Sequence, residues 1–258
     1  MRWQTLAART IAEGMALVRT PCASRSGLRI LMYHAVGSPV RGDRLGIFTL
    51  STKHFSSHVD VLASMLTTSL APLTLPHNEL HIAITFDDGY ADNLRVAAPL
   101  LAKRGLPFTV FVTTDFVREG ASGFLTSSEV KELAQIPGAS IGAHGRSHRP
   151  LTECDSDALT AELADSKHYL EDLLGQPVTS LAYPHGAADR RVRDAVERAG
   201  YQLGACSHFD INHPGRDALM LNRCNILSND TPRALRQKLR GDWDWYRWRS
   251  NDPLKAGA

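Results

Sequence analysis

Three short stretches of the chain concentrate residue types that do hydrolytic chemistry. Asp87-Asp88-Gly89-Tyr90 directly follows the apolar run Ile82-Ala83-Ile84-Thr85-Phe86, His144-Gly145-Arg146-Ser147-His148 follows Ile141-Gly142-Ala143, and Tyr183-Pro184-His185-Gly186 follows Leu181-Ala182. Neighbouring side chains on a strand point to opposite faces, so two adjacent carboxylates would diverge within one. At a strand end, the turn that Gly89 permits can bring both to one site. One carboxylate could then hold a metal while its neighbour handles protons. Two imidazoles four residues apart lie on one side of a helical turn and can share a cation. Two histidines and one carboxylate leave positions open for water and substrate. The third stretch is a loop whose backbone N–H could face the reaction centre. A solvated Asp-Asp-Gly hairpin turn is the plain alternative for the first stretch, weakened because a helical segment and not a strand follows it.

These stretches need elements that end at one place. Short apolar runs predict strands at Arg29 to His34, His81 to Phe86, Pro107 to Val112, Ser140 to Ala143, Thr179 to Tyr183, Tyr201 to Ala205 and Leu219 to Ile226. Between them, helical patterns cover Lys53 to Met65, Ala91 to Arg104, Ser127 to Ala134, Asp155 to Leu174 and Asp189 to Ala199. Alternation of this kind argues for parallel strands with crossover helices. About seven repeats favour an α/β fold of the irregular (β/α)7 barrel type, whose C-terminal rim is where catalysis occurs. Leu66 to Glu79 reads as a surface connection. Residues 1–27 read as an amphipathic N-terminal helix, to about Thr20, with a linker after it, and residues 28–258 as one domain carrying an aromatic and basic tail.

With 29 basic and 27 acidic residues the formal charge is +2, too balanced for a nucleic-acid footprint. Four separated cysteines with no C-x-x-C pair read as reduced, structural thiols. Arg9, Glu13 and Arg19 interrupt the N-terminal apolar residues, so no cleaved signal peptide is expected. A cytoplasmic location is expected, with peripheral association at the inner membrane as an option. That option comes from the tail, Leu235 to Arg249, where basic residues alternate with Trp243, Trp245, Tyr246 and Trp248. Capping of the barrel's open end is the preferred reading of the same residues.

Taken in order, Thr85-Phe86-Asp87-Asp88-Gly89, His144-Gly145-Arg146-Ser147-His148 and Tyr183-Pro184-His185-Gly186 resemble the motifs of the polysaccharide deacetylases, the NodB homology domains of carbohydrate esterase family 4. The similarity runs from about Leu28 to Ser228. It implies a NodB-like deacetylase barrel, with Asp87 as base, Asp88, His144 and His148 as metal ligands, and the backbone N–H of His185, where the family usually has Tyr, as oxyanion donor. The implied activity is hydrolysis of the N-acyl, usually N-acetyl, group of an amino sugar in a glycan or glycoconjugate. The implied cofactor is a divalent metal, zinc by default, with cobalt, nickel or iron also compatible with such ligands.

Two departures stand out. The family's Arg three residues before the Tyr, which pairs with the catalytic Asp, is Ala182 here, and Arg223 is the candidate substitute. The late Leu-x-His motif that carries the general acid is missing. Leu31-Met32-Tyr33-His34, at the end of the first barrel strand, looks like the Tyr-His motif of members in which that element is moved to the start, so His34 is the candidate acid. These departures keep other readings open: a deacylase of a lipid-linked or small glycoside, or a non-catalytic glycan-binding member of the fold.

Overall fold

The computed structural model describes residues 10, 11, 13, 14, 26–71, 73, 75–249, 252 and 253. Most of the expected N-terminal helix therefore lies outside the described residues; the four described ones are helical. The strands are β1 (Gly27–Tyr33), β2 (Ala35–Val36), β3 (Thr49–Leu50), β4 (Leu80–Phe86), β5 (Phe108–Val112), β6 (Ala139–Ala143), β7 (Ser180–Ala182), β8 (Leu203–Ala205) and β9 (Arg223–Asn225). Seven of them form one parallel sheet in the order β8-β7-β6-β5-β4-β1-β9. Leu221, just ahead of β9, bridges Ala205 of β8 and exchanges backbone hydrogen bonds with Gly204 and Cys206, so the sheet is nearly closed into a barrel.

The helices are α1 (Thr52–Leu62), α2 (Ala98–Ala102), α3 (Thr114–Arg118), α4 (Ser127–Ala134), α5 (Ser156–Leu174), α6 (Arg190–Arg198) and α7 (Pro232–Arg240). Their starts are written in short polar side chains. Ser51, Asp155, Asp189 and Thr231 each accept the N–H three residues on, and Thr126 and Glu129 form a reciprocal capping box.

The two-residue period of the strands divides the barrel strands' buried residues between two clusters. On β1, Leu31 and Tyr33 join the large cluster shared with the helices, whereas Leu28 and Ile30 join a small one with Leu70, Ala83, Phe111, Ala182, Leu203, Ala205 and Leu221. The small cluster fills the barrel. Continuing its parity along each strand reaches Met32, Asp87, His144 and Arg223, all of which line one cleft at the strands' C-terminal end.

Several expectations are corrected. The segment 66–79 is more than a surface connection: Thr67 bridges Ile82, and Leu70, only 2% exposed, packs into the barrel cluster. The helix expected over 91–104 is present over 91–102, but its middle, Asn93–Ala97, is π-helical ahead of the short α2, whose second residue is Pro99. Proline has no N–H to donate and obstructs a regular turn before it. The pairing of β2 with β3, which frames the loop 37–48, was not expected. Residues 232–240, within and before the tail, form α7, and the tail packs against β1, β9 and the segment 209–216. Lys238 reaches the Asn225 carbonyl and Asp230, and Arg29 of β1 pairs with Asp244. Trp243 is buried and Trp248 exposed. No described helix is long and apolar enough to cross a membrane.

Candidate active site

Asp87 directly follows β4, and its side chain continues the inward parity of Ala83 and Thr85. Asp88 then takes φ 73° and Gly89 φ 83°, so the chain turns left-handed at once and the second carboxylate is brought round to the same cleft. For Asp88 this is an uncommon conformation that a short polar side chain tolerates.

Asp87 is nearly enclosed and makes a two-pronged ion pair with Arg223 of β9. Nη1 donates to Oδ1 at 2.6 Å and Nη2 to Oδ2 at 2.8 Å. Arg223 is fully buried, donates its Nε–H to the Cys206 carbonyl and stands over the Phe111 ring. Burial alone would raise the Asp87 carboxyl pKa. The Arg223 charge, helped by His144, more than offsets this and brings it below the ordinary carboxylate value. At Ala182, where the family resemblance calls for Arg, the methyl is wholly inside the barrel cluster. The cation comes instead from the other end of the sheet.

His144, at the end of β6, and His148, at φ 64°, aim their Nε2 atoms at Asp88 Oδ1, at 3.4 Å and 3.1 Å. His144 Nδ1 lies 2.8 Å from the Ala182 carbonyl, where Nδ1–H donates and Nε2 is left for Asp88 or a cation. Asp88 Oδ1 is buried and makes no hydrogen bond of normal geometry. Asp88, His144 and His148 each offer one ligand atom, and the three atoms lie within 4.8 Å of one another. One anionic oxygen and two imidazole nitrogens converging without a satisfactory hydrogen bond fit a divalent cation of the zinc type. Despite burial, which acts to raise it, the Asp88 carboxyl is held well below the ordinary range by the two imidazoles, as an anionic ligand would need.

His185 and His34 flank this group. His185 takes φ 57° in the turn Pro184–Gly186, packs against His148 with ring centroids 4.6 Å apart and planes tilted by 52°, and its Nε2 lies 3.2 Å from the His148 carbonyl. His34 packs against Phe48, and its Nδ1 is buried with no hydrogen-bond partner. Burial lowers the His34 pKa more than the nearby Asp87 and Asp88 raise it, so the resting imidazole is neutral. All six residues singled out from sequence, with Arg223, line one cleft of about 480 Å³.

Other contributors were missed. Asp92 accepts hydrogen bonds from Val36 N, Ser38 N and Ser38 Oγ, and Asn93 Nδ2 donates to the His34 carbonyl at 2.9 Å, so this pair anchors the chain around His34. Their signal was a polar Asp-Asn pair at the start of an otherwise apolar segment. Asn225 lines the cleft two residues after Arg223, hence on the same face of β9, and its Oδ1 is buried and unpartnered. The loop 37–48 supplies Val40, Arg41, Asp43 and Phe48 to the rim, and nothing in its composition marked it.

A near-closed parallel barrel with this acidic and imidazole cluster at its C-terminal mouth defines a NodB-like deacetylase fold. The family model for polysaccharide deacetylase matches residues 75–204, and the chain belongs to that family. It is 35% identical over 185 residues to YxkH of Bacillus subtilis, provisionally named a polysaccharide deacetylase; the match covers 69% of this chain and 63% of that protein's length. The Streptococcus pyogenes deacetylase PplD, solved in complex with acetate, superposes with a TM-score of 0.73 at 28% identity, covering 83% of this chain and 98% of the other. IcaB from Ammonifex degensii shares the fold, with a TM-score of 0.68 at 24% identity over 86% of this chain and 99% of its own.

Proposed function

We propose that the protein is a metal-dependent hydrolase that removes the N-acyl group, acetyl in the first instance, from an amino sugar in a glycan or glycoconjugate. The observation that carries this reading is the convergence of Asp88, His144 and His148 beside an Asp87 held ionised by a buried arginine. Acetate, the ligand in the PplD structure, is what such a reaction releases.

Asp88, His144 and His148 would hold the cation, with zinc as the first choice. When bound, it supplies Lewis-acid polarisation of the acyl carbonyl and acidifies water. The remaining work falls to this chain's own groups. Asp87, ionised because Arg223 outweighs its burial, takes the proton of the attacking water. The His185 backbone N–H is the donor for the developing oxyanion. His34, which lines the same cleft, is the group for the departing amine. Its burial keeps it neutral at rest, so it must gain a proton before it can give one.

Elemental analysis of purified protein tests the ligand set. One divalent ion per chain is expected in the wild type, with occupancy falling in His144→Ala and in His148→Ala. Full occupancy in both variants overturns the assignment.

A further inference from the structure

The loop that joins the two histidines rests on a carboxylate from another element. Glu162 lies in the middle of α5, on the stripe formed by Leu159, Leu163, Ser166 and Leu170, and is 1% exposed. An acidic residue on the buried face of an amphipathic helix is costly unless every lone pair is used. Here the partners all come from the loop. Glu162 Oε2 accepts the backbone N–H of Arg146 at 2.8 Å and of Ser147 at 2.9 Å, and Oε1 accepts the Ser147 hydroxyl at 2.5 Å.

The loop needs such a hold. Gly145 (φ 70°) and His148 (φ 64°) are both left-handed, the latter unfavourable for a residue with a side chain. A Cβ at Gly145 would stand 3.3 Å from Glu162 Oε2, so backbone and carboxylate are in contact. The other side of the loop is tied to α3, where Asp115 N donates to the Arg146 carbonyl at 2.8 Å. Two inward-turned N–H groups closing on one carboxylate orient the Arg146 and Ser147 peptides, and His148 follows directly.

We propose that Glu162 is a positioning residue for the metal site, setting the separation and aim of His144 and His148 through the loop that joins them. The inference rests on the metal-site reading above. Groups hydrogen-bonded to metal ligands themselves typically contribute about 10- to 100-fold in metal affinity, and a carboxylate that fixes the backbone between two ligands is taken on the same scale. Glu162→Ala removes all three acceptor contacts. Glu162→Gln retains a carbonyl oxygen for the two amides, with its NH2 facing a Ser147 hydroxyl that can turn to accept.

The test compares zinc dissociation constants, by competition with a chromogenic chelator, for the wild type, both Glu162 variants and Tyr201→Phe. Tyr201 serves as control because its hydroxyl bonds Ser166 and the Leu163 carbonyl on the same helix without touching the loop. Glu162→Ala is expected to bind zinc about 10- to 100-fold more weakly, with Glu162→Gln in between. Tyr201→Phe is expected to lower the melting temperature and leave the zinc constant unchanged. An unchanged zinc constant in Glu162→Ala, or an equal loss in Tyr201→Phe, overturns the proposal. Amide hydrogen exchange on metal-free protein gives an answer independent of zinc: the Arg146 and Ser147 amides should exchange at least about tenfold faster in Glu162→Ala than in the wild type, the mark of local opening. A wild type that binds no zinc defeats the metal reading alone. Unchanged exchange at those two amides defeats the role of Glu162, and should Glu162→Ala not fold, Glu162→Gln gives both readouts.

Discussion

Replacing Arg223 by Met leaves the Asp87 carboxylate enclosed without its cation. Asp87 is 3% exposed and Arg223 fully buried, and the two share a pair of hydrogen bonds of 2.6 and 2.8 Å. Breaking a buried pair from one side typically costs about 3–5 kcal/mol, because the remaining charge stays desolvated. The Cys206 carbonyl also loses the Arg223 Nε–H. Arg223→Met is therefore expected to destabilise the protein by that amount. Adding Asp87→Asn removes the stranded charge, so Arg223→Met/Asp87→Asn should be more stable than Arg223→Met alone. Urea denaturation followed by tryptophan fluorescence, in the presence of a chelator, measures all four corners of the cycle. A double variant whose loss equals the sum of the single losses within about 0.5 kcal/mol would show the two sites to be uncoupled, and the pairing argument would fall.

His34→Ala should slow hydrolysis of an N-acetyl amide by about 10²- to 10⁴-fold, the usual contribution of a general acid. Activated esters, whose leaving groups depart unprotonated, should lose far less, and equal losses on both substrates would reduce His34 to a structural part. His58 gives a pH prediction away from the site. Burial lowers its pKa to about 4, and its ring is held between the Tyr33 hydroxyl and the Asp230 carbonyl. The folded protein thus takes up this proton later than the unfolded chain, so stability is full above about pH 6.5, falls between pH 6.5 and about 4 by up to about 3 kcal/mol, and levels below that. His58→Gln should remove that part of the slope between pH 7 and 4, and an unchanged slope would place the acid sensitivity elsewhere.

The barrel was legible because each strand is a short apolar run and each run ends in a polar cluster. That pattern put Asp87, Asp88, His144, His148 and His34 at a common rim from chain order alone. Arg223 is the intermediate case. A missing cation was evident from Ala182, but which arginine replaces it depends on closure of the sheet, which brings β9 beside β1 and across from β7. Glu162 could have been found, since a carboxylate sharing a helical face with Leu159, Leu163 and Leu170 demands a partner. Two of its three partners, however, are backbone N–H groups of a loop, which carry no sequence mark. Leu70 was obscured by an irregular segment in which polar residues and prolines interrupt the apolar ones. The tail was less legible because aromatic and basic residues suit either a membrane surface or a cap on the barrel's open end; Lys238 and Asp244 are held against β9 and β1, while Trp248 stays exposed.

The central claim is that the two adjacent carboxylates do different things: Asp87 moves the proton and Asp88 holds the metal. The measurement that tests it most directly is acetate release from an N-acetylated amino-sugar oligomer by zinc-loaded wild type, Asp87→Asn and Asp88→Asn, with bound zinc quantified in the same samples. The account predicts release by the wild type, none by Asp87→Asn at near-full zinc, and none by Asp88→Asn with zinc largely lost. Near-normal acetate release by Asp87→Asn, or full zinc in Asp88→Asn, would contradict it.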